Sequence, residues 1–154
     1  MMSLLFSRQC EYALQAVSYL AIQPEEKLTS IKELTGRLHI PYHFLGKILQ
    51  QLAQKEILIS RKGHDGGFAL AKSAEKMTFV TIIEVIDGTN FRHQCIMGFP
   101  ECSGEHPCAV HARWETARND IFDSFAKKNI AEMAREMNKP EYINERRKQT
   151  NQHK

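Results

Sequence analysis

Between residues 7 and 22, Tyr12, Ala13, Ala16, Val17 and Leu20 fall at the three- and four-residue steps that line one face of a helix, with Ser7 placed to cap its start. After a polar connection, Gln23-Pro24-Glu25-Glu26-Lys27, the step returns at Ile31, Leu34 and Leu38 behind the hydroxyl of Thr29. Ile40 and Pro41 interrupt this second helix, because a residue before proline is pushed out of the helical region, and Pro41 suits the first position of a third. The third helix turns Leu45, Ile48, Leu49 and Leu52 inward and leaves His43, Lys47, Gln50 and Gln54 on the opposite face, beside Gly46. After Glu56 the period becomes alternating. Ile57 and Ile59 are expected on one side of a strand, Phe68 and Leu70 return on the next, and Arg61-Lys62-Gly63-His64-Asp65-Gly66-Gly67 forms a basic, glycine-rich tip.

Helical spacing resumes from Met77 to Asp87 with Val80, Ile82, Ile83 and Ile86, and Gly88 is a natural stop. From Ala109 to Lys128 a longer helix carries Val110, Trp114, Ala117, Ile121 and Phe125 on one stripe, widened by Phe122 and Ala126; Asn129 to Met137 is expected to add a turn or two. Past Asn138 five basic residues stand against two acidic ones with little apolar content, which reads as a mobile basic tail. The fold class is therefore mostly α with a small β wing. A winged helix-turn-helix unit with its connector helix spans 1–90, a cysteine-rich loop 91–108, a dimerisation helix with a short follower 109–137, and the tail 138–154.

Length and charge sharpen this picture. A chain of 154 residues suits one good core with an extension. No apolar run approaches the roughly 18 residues of a membrane span and the start lacks a secretory pattern, so a cytoplasmic, non-membrane protein is expected. From Leu28 to Lys72 there are seven Lys or Arg against three Asp or Glu, a net +4 that exceeds the whole-chain +3. Helix, turn, helix and wing with such a surplus is an architecture that lays its second motif helix in the major groove of duplex DNA and sends the wing along the backbone or into the minor groove. A solvated helix pair beside an ordinary hairpin is the plainer alternative; the charge asymmetry favours DNA. Tyr42, His43, Lys47 and Gln50 are the helix candidates, and Arg61, Lys62 and His64 those of the wing. The long aromatic-bearing helix suggests the seam of a homodimer, hence two half-sites in an imperfect palindrome. No nucleophile and base pair, phosphate loop or carboxylate dyad argues for an enzyme.

Four cysteines in a chain read as cytoplasmic suit metal binding or redox sensing better than a disulfide framework. Cys95, Cys102 and Cys108 are separated by six and five residues, and Gly98, Pro100, Gly104 and Pro107 forbid regular structure between them. Pro107 favours a helix's first position, which would place Cys108 in the first turn and His111 one turn on, facing the same centre. Thiolates select zinc, copper or iron-sulfur clusters, and zinc modules usually space their cysteine pairs more closely. Near the amino end, Cys10 reads as a small half-buried hydrophobe and Glu11 as a complement to the positive helix end.

The pieces SRQCEYALQAVSYLA, IPYHFLGKILQQLAQKEILISRKGHDGGFALA, FVTIIEVIDG and the cysteine loop together resemble the bacterial Rrf-type winged-helix regulators over about residues 3 to 137. The resemblance implies DNA binding controlled by a 2Fe-2S or 4Fe-4S cluster on Cys95, Cys102 and Cys108. The fourth ligand is a histidine at the position of His111 in IscR-like members, or an acidic residue at that of Glu11, from the partner subunit, in NsrR-like ones. Two departures stand out: Lys62 occupies a place where arginine is usual, and the first cysteine gap has six residues where the familiar cluster binders have five. Zinc or no metal, thiol oxidation, another ligand or a partner protein in control of DNA affinity, and a metal-bearing protein-interaction module are the alternatives.

Overall fold

The computed structural model describes residues 5–71 and 73–137; the basic tail lies outside them. Helix α1, Arg8–Ala21, starts where the Ser7 hydroxyl accepts from the Cys10 backbone N–H, and it buries Cys10, Ala13, Ala16, Val17 and Leu20. Cys10 is fully buried rather than half-buried. Helix α2, Ile31–Leu38, is capped by Ser30 and not by Thr29. Thr29 is instead buried and pairs through both backbone groups with Phe68, at 2.9 and 2.8 Å, which fastens the wing to the entry of α2. At the end of α2, His39 takes a left-handed conformation (φ 55°), and α3 runs Tyr42–Gln54. Pro41 stands just outside α3 at φ −58°, ψ 135°; its fixed φ serves the extended entry, with Ile40 buried beside it, in place of the first helical position. Leu45, Ile48, Leu49 and Leu52 of α3 are buried, each stabilising the fold by roughly 1.5–3 kcal/mol.

Strands β1 (Leu58–Arg61) and β2 (Gly67–Leu70) pair antiparallel in the register Leu58 with Leu70 and Arg61 with Gly67. The expected alternation of Ile57 with Ile59 does not hold, since Ile57 and Leu58 are both buried while Ile59 is 42% exposed. Glu56, left-handed at φ 58°, turns the chain sharply, so Ile57 closes the end of α3 through a bond from its N–H to the Leu52 carbonyl before the pleat begins.

Helix α4, Phe79–Asp87, is capped by Thr78 and stopped by Gly88, and contributes Phe79, Val80, Ile82 and Ile83 to the interior. Its last residue reaches back to α1, where Asp87 accepts from the Ser7 backbone N–H at 2.8 Å and from the Ser7 hydroxyl. Helix α5, His111–Lys127, packs on α4; Phe122 stacks on Phe91, and Phe125 meets Phe6 and Phe79. Of the stripe expected on α5, Trp114, Ile121, Phe122 and Phe125 are half-buried, whereas Val110, Ala117 and Ala126 are exposed and Arg118 is buried. Helix α6, Ile130–Met137, returns to α1 and inserts Ile130, fully buried, into the main core. Reciprocal bonds between Asn129 and Glu132 cap its start, and the Ile130 N–H donates to the Met77 carbonyl at 2.8 Å. Among the described residues no helix is long and apolar enough to cross a membrane.

Candidate functional site

The α2–α3 pair and the hairpin place two groups of candidate residues on the surface. On α3 the buried quartet forces His43, Lys47, Gln50 and Gln54 outward, and all four are exposed. Tyr42 opens the helix, 58% exposed, its ring edge-on to that of His43 at 6.2 Å. Phe44 is also exposed, at 53%, and was not anticipated; its signal was an aromatic residue at a helical position outside the apolar stripe. In the wing Arg61, Lys62 and His64 are exposed, with the His64 ring 3.3 Å from the Asp65 carboxylate. The turn is built by backbone, the Gly66 N–H donating to Gly63 at 3.1 Å, and Gly66 leaves no room for a Cβ against the Arg61 carbonyl. Donors on the helix face and lysine or arginine on the wing suit base edges and phosphates respectively.

A third group lies in the loop between α4 and α5. The sulfurs of Cys95, Cys102 and Cys108 are all within 4.8 Å of one another, with Cys95 and Cys108 3.7 Å apart. The Nδ1 of His111 is 3.1 Å from the Cys102 sulfur, and its Nε2 is 3.9 Å from a Glu115 oxygen. Helix α5 begins only at His111, so Cys108 precedes the helix instead of riding its first turn; the His111 N–H still closes onto the Cys108 carbonyl at 3.1 Å. Pro107 thus ends the loop, and a two-residue turn intervenes before the helix. Burial pushes the Cys95 thiol up, but hydrogen bonds from the backbones of Phe99 and Met97 and from the neighbouring cysteines outweigh it and bring it down to about 7. For Cys102 a bond from the Cys108 backbone pulls downward, yet desolvation and the adjacent sulfurs leave it above the ordinary thiol value. Three sulfurs this close repel once ionised, and a soft cation is what relieves them. Three thiols and an imidazole fit the four-ligand chemistry of a thiophilic metal or an iron-sulfur group. Glu11 is paired with Arg8 at 3.2 Å on α1 and is not one of the groups that converge on the sulfurs of its own chain.

The sequence model of the Rrf2 family, described as an iron-dependent transcriptional regulator, matches residues 6–136. The chain belongs to the Rrf2 family of transcriptional regulators. It is 33% identical over 132 residues to an HTH-type transcriptional regulator of Aquifex aeolicus, covering 84% of this chain and 91% of that one. It is 25% identical over 112 residues to the HTH-type regulator IscR of Pectobacterium carotovorum, covering 73% and 68% of the two chains. Among solved structures it is similar to CymR, the global cysteine regulator of B. subtilis, at a TM-score of 0.70 and 21% identity over 87% of this chain and 97% of CymR. The last likeness, at 21% identity, shows the fold.

Proposed function

We propose that this Rrf2 chain is a homodimeric regulator that binds an imperfect DNA palindrome with an affinity set by an iron-sulfur cluster on Cys95, Cys102, Cys108 and His111. The observation that carries it is the convergence of three sulfurs within 4.8 Å with an imidazole nitrogen 3.1 Å from one of them, at the root of α5. Such a cluster supplies one-electron and ligand-exchange chemistry, which makes its state sensitive to oxidants and to iron supply. The chain's own groups do the rest. His43, Lys47 and Gln50 meet the major groove, Tyr42 enters beside them, and Arg61, Lys62 and His64 follow the backbone from the wing. Half-buried apolar residues on α5, together with exposed Leu5, offer the surface a second copy would cover.

Anaerobic purification with iron and sulfide counts tests the cluster. Wild type should be coloured and carry iron, Cys108→Ala and His111→Ala should lose it, and Glu11→Ala should keep it. Retention by His111→Ala with loss by Glu11→Ala would move the fourth ligand to the partner subunit. A second reading has one specific support, the 3.7 Å between Cys95 and Cys108, from which a small movement forms a disulfide as an oxidant removes two electrons and two protons. A colourless, iron-free protein whose DNA affinity changes with peroxide, and whose response disappears in Cys95→Ser, would establish it.

A further inference from the structure

The carbonyl of Gln94, one residue before Cys95, accepts two hydrogen bonds from α5. The Trp114 indole Nε1 donates at 2.8 Å and the Arg118 Nη1 at 3.2 Å. Arg118 is only 9% exposed, its Nε finds no hydrogen-bond partner, and among the described residues no carboxylate pairs with it. A guanidinium is seldom buried in this way, and here its chief polar contact is the backbone of the cysteine loop. Two residues before Gln94, Arg92 pairs with Glu84 of α4 and lies over the Phe122 ring, 4.0 Å from its centroid. The next residue of α4, Val85, has its carbonyl held by Gln51 Nε2 of α3 at 3.1 Å. Short backbone steps, Gln94 to Arg92 and Glu84 to Val85, therefore join these hydrogen bonds into one route from the residue beside Cys95 to the helix that carries His43, Lys47 and Gln50.

We infer that Trp114, Arg118, Arg92 and Gln51 are positioning residues that tie the placement of Cys95 to the placement of the recognition helix. The inference rests on the proposed control of DNA affinity by the cysteine site. Trp114 and Arg118 are one turn apart on one face of α5, so a shift of the Gln94 carbonyl must either break two bonds or take α5 with it. Arg92 couples the same loop to α4, and Gln51 passes that movement to α3. None of the four is hydrogen-bonded to a sulfur among the described residues or stands on the exposed face of α3, so their effect falls on the coupling between the sites. Contiguity by itself does not establish coupling; a measured change in the affinity ratio does.

The experiment uses the full chain, reconstituted anaerobically with ferrous iron and sulfide or stripped with a chelator. The probe is a labelled duplex recovered from a random pool by selection with loaded wild-type protein. The quantity read is the ratio of dissociation constants in the two states, expected for wild type within the roughly 5- to 150-fold span of ordinary coupling. Trp114→Phe, Arg118→Met and Gln51→Met should bind iron as wild type does, as read by visible absorbance, while the ratio falls toward one. Trp114, the chain's single tryptophan, should change its emission on loading in wild type and do so less in Arg118→Met. The double variant Arg118→Met with Gln51→Met should lose little more than either single one, because both lie on one route. Should Trp114→Phe fail to fold, Gln51→Met at the far end decides the matter. Variants that keep the wild-type ratio with normal iron overturn the relay alone; a wild-type ratio of one overturns the relay together with metal control.

Discussion

Cys10 differs chemically from the three cysteines of the loop although all four are thiols. Burial, then the negative charge of Asp87 close by, pushes its pKa from 9.0 up to about 12. Between those values the unfolded chain binds fewer protons than the native one. The stability that this protonated thiol contributes is therefore complete below pH 9 and is lost as pH rises toward 12. Denaturant titrations at pH 7.5 and pH 10 should show a loss of stability at the higher pH that is smaller in Cys10→Ala, and a thiol reagent at pH 8 should leave one of four thiols unmodified until the protein unfolds. The sequence reads Cys10 as a half-buried hydrophobe near the start of α1 and misses its depth, because Asp87, eighty residues away from Ser7, closes that corner. Arg118 was illegible for a similar reason. A long polar side chain on an apolar stripe reads as an interruption until the carbonyl that receives it is known.

Among the elements, those with a sustained helical period were read correctly: α1, α3 and α4 lie where their apolar steps put them, and Ser7 and Gly88 bound them as expected. Beyond the stripe of α5, where Ala117 and Ala126 are exposed, the misreadings fall at junctions. Thr29 resembles a helix cap in sequence yet pairs with Phe68, and Ile57 resembles a strand residue yet seals α3, because Glu56 leaves the helix left-handed. The Thr29 junction sets the wing and depends on one residue. Gly67 has φ +153°, and an added Cβ would lie 2.5 Å from the Thr29 carbonyl oxygen. Gly67→Ala should destabilise the fold by about 1–3 kcal/mol and weaken DNA binding while leaving iron content unchanged. Gly36, inside α2 with nothing within 4 Å of an added Cβ, gives the opposite sign: Gly36→Ala should raise stability by roughly 0.5–1 kcal/mol. Thermal melts of the two variants check both signs.

At the scale of the molecule, the proposed dimer makes a mass prediction. Light scattering should give about twice 17.7 kDa for wild type. Ile121→Glu, which puts a charge on the half-buried face of α5 beside Leu5, should shift the protein toward one copy and weaken DNA binding, with a thermal melt separating this from loss of the fold. The cysteine site was legible in outline, as three soft ligands and a histidine in a loop that could not be regular. Its closeness was not, since six- and five-residue gaps give no through-space distance. One consequence follows from the way α6 comes home to α1. The cysteine loop and α5 form an excursion from a single interior, which Phe91 and Phe125 still touch near its two ends and which the chain re-enters at Ile130. Cutting the polypeptide after Gly88 would strip an isoleucine from the middle of that interior, so the winged-helix head cannot be detached intact from the cysteine loop; evolution and the bench must alter the loop from within the excursion.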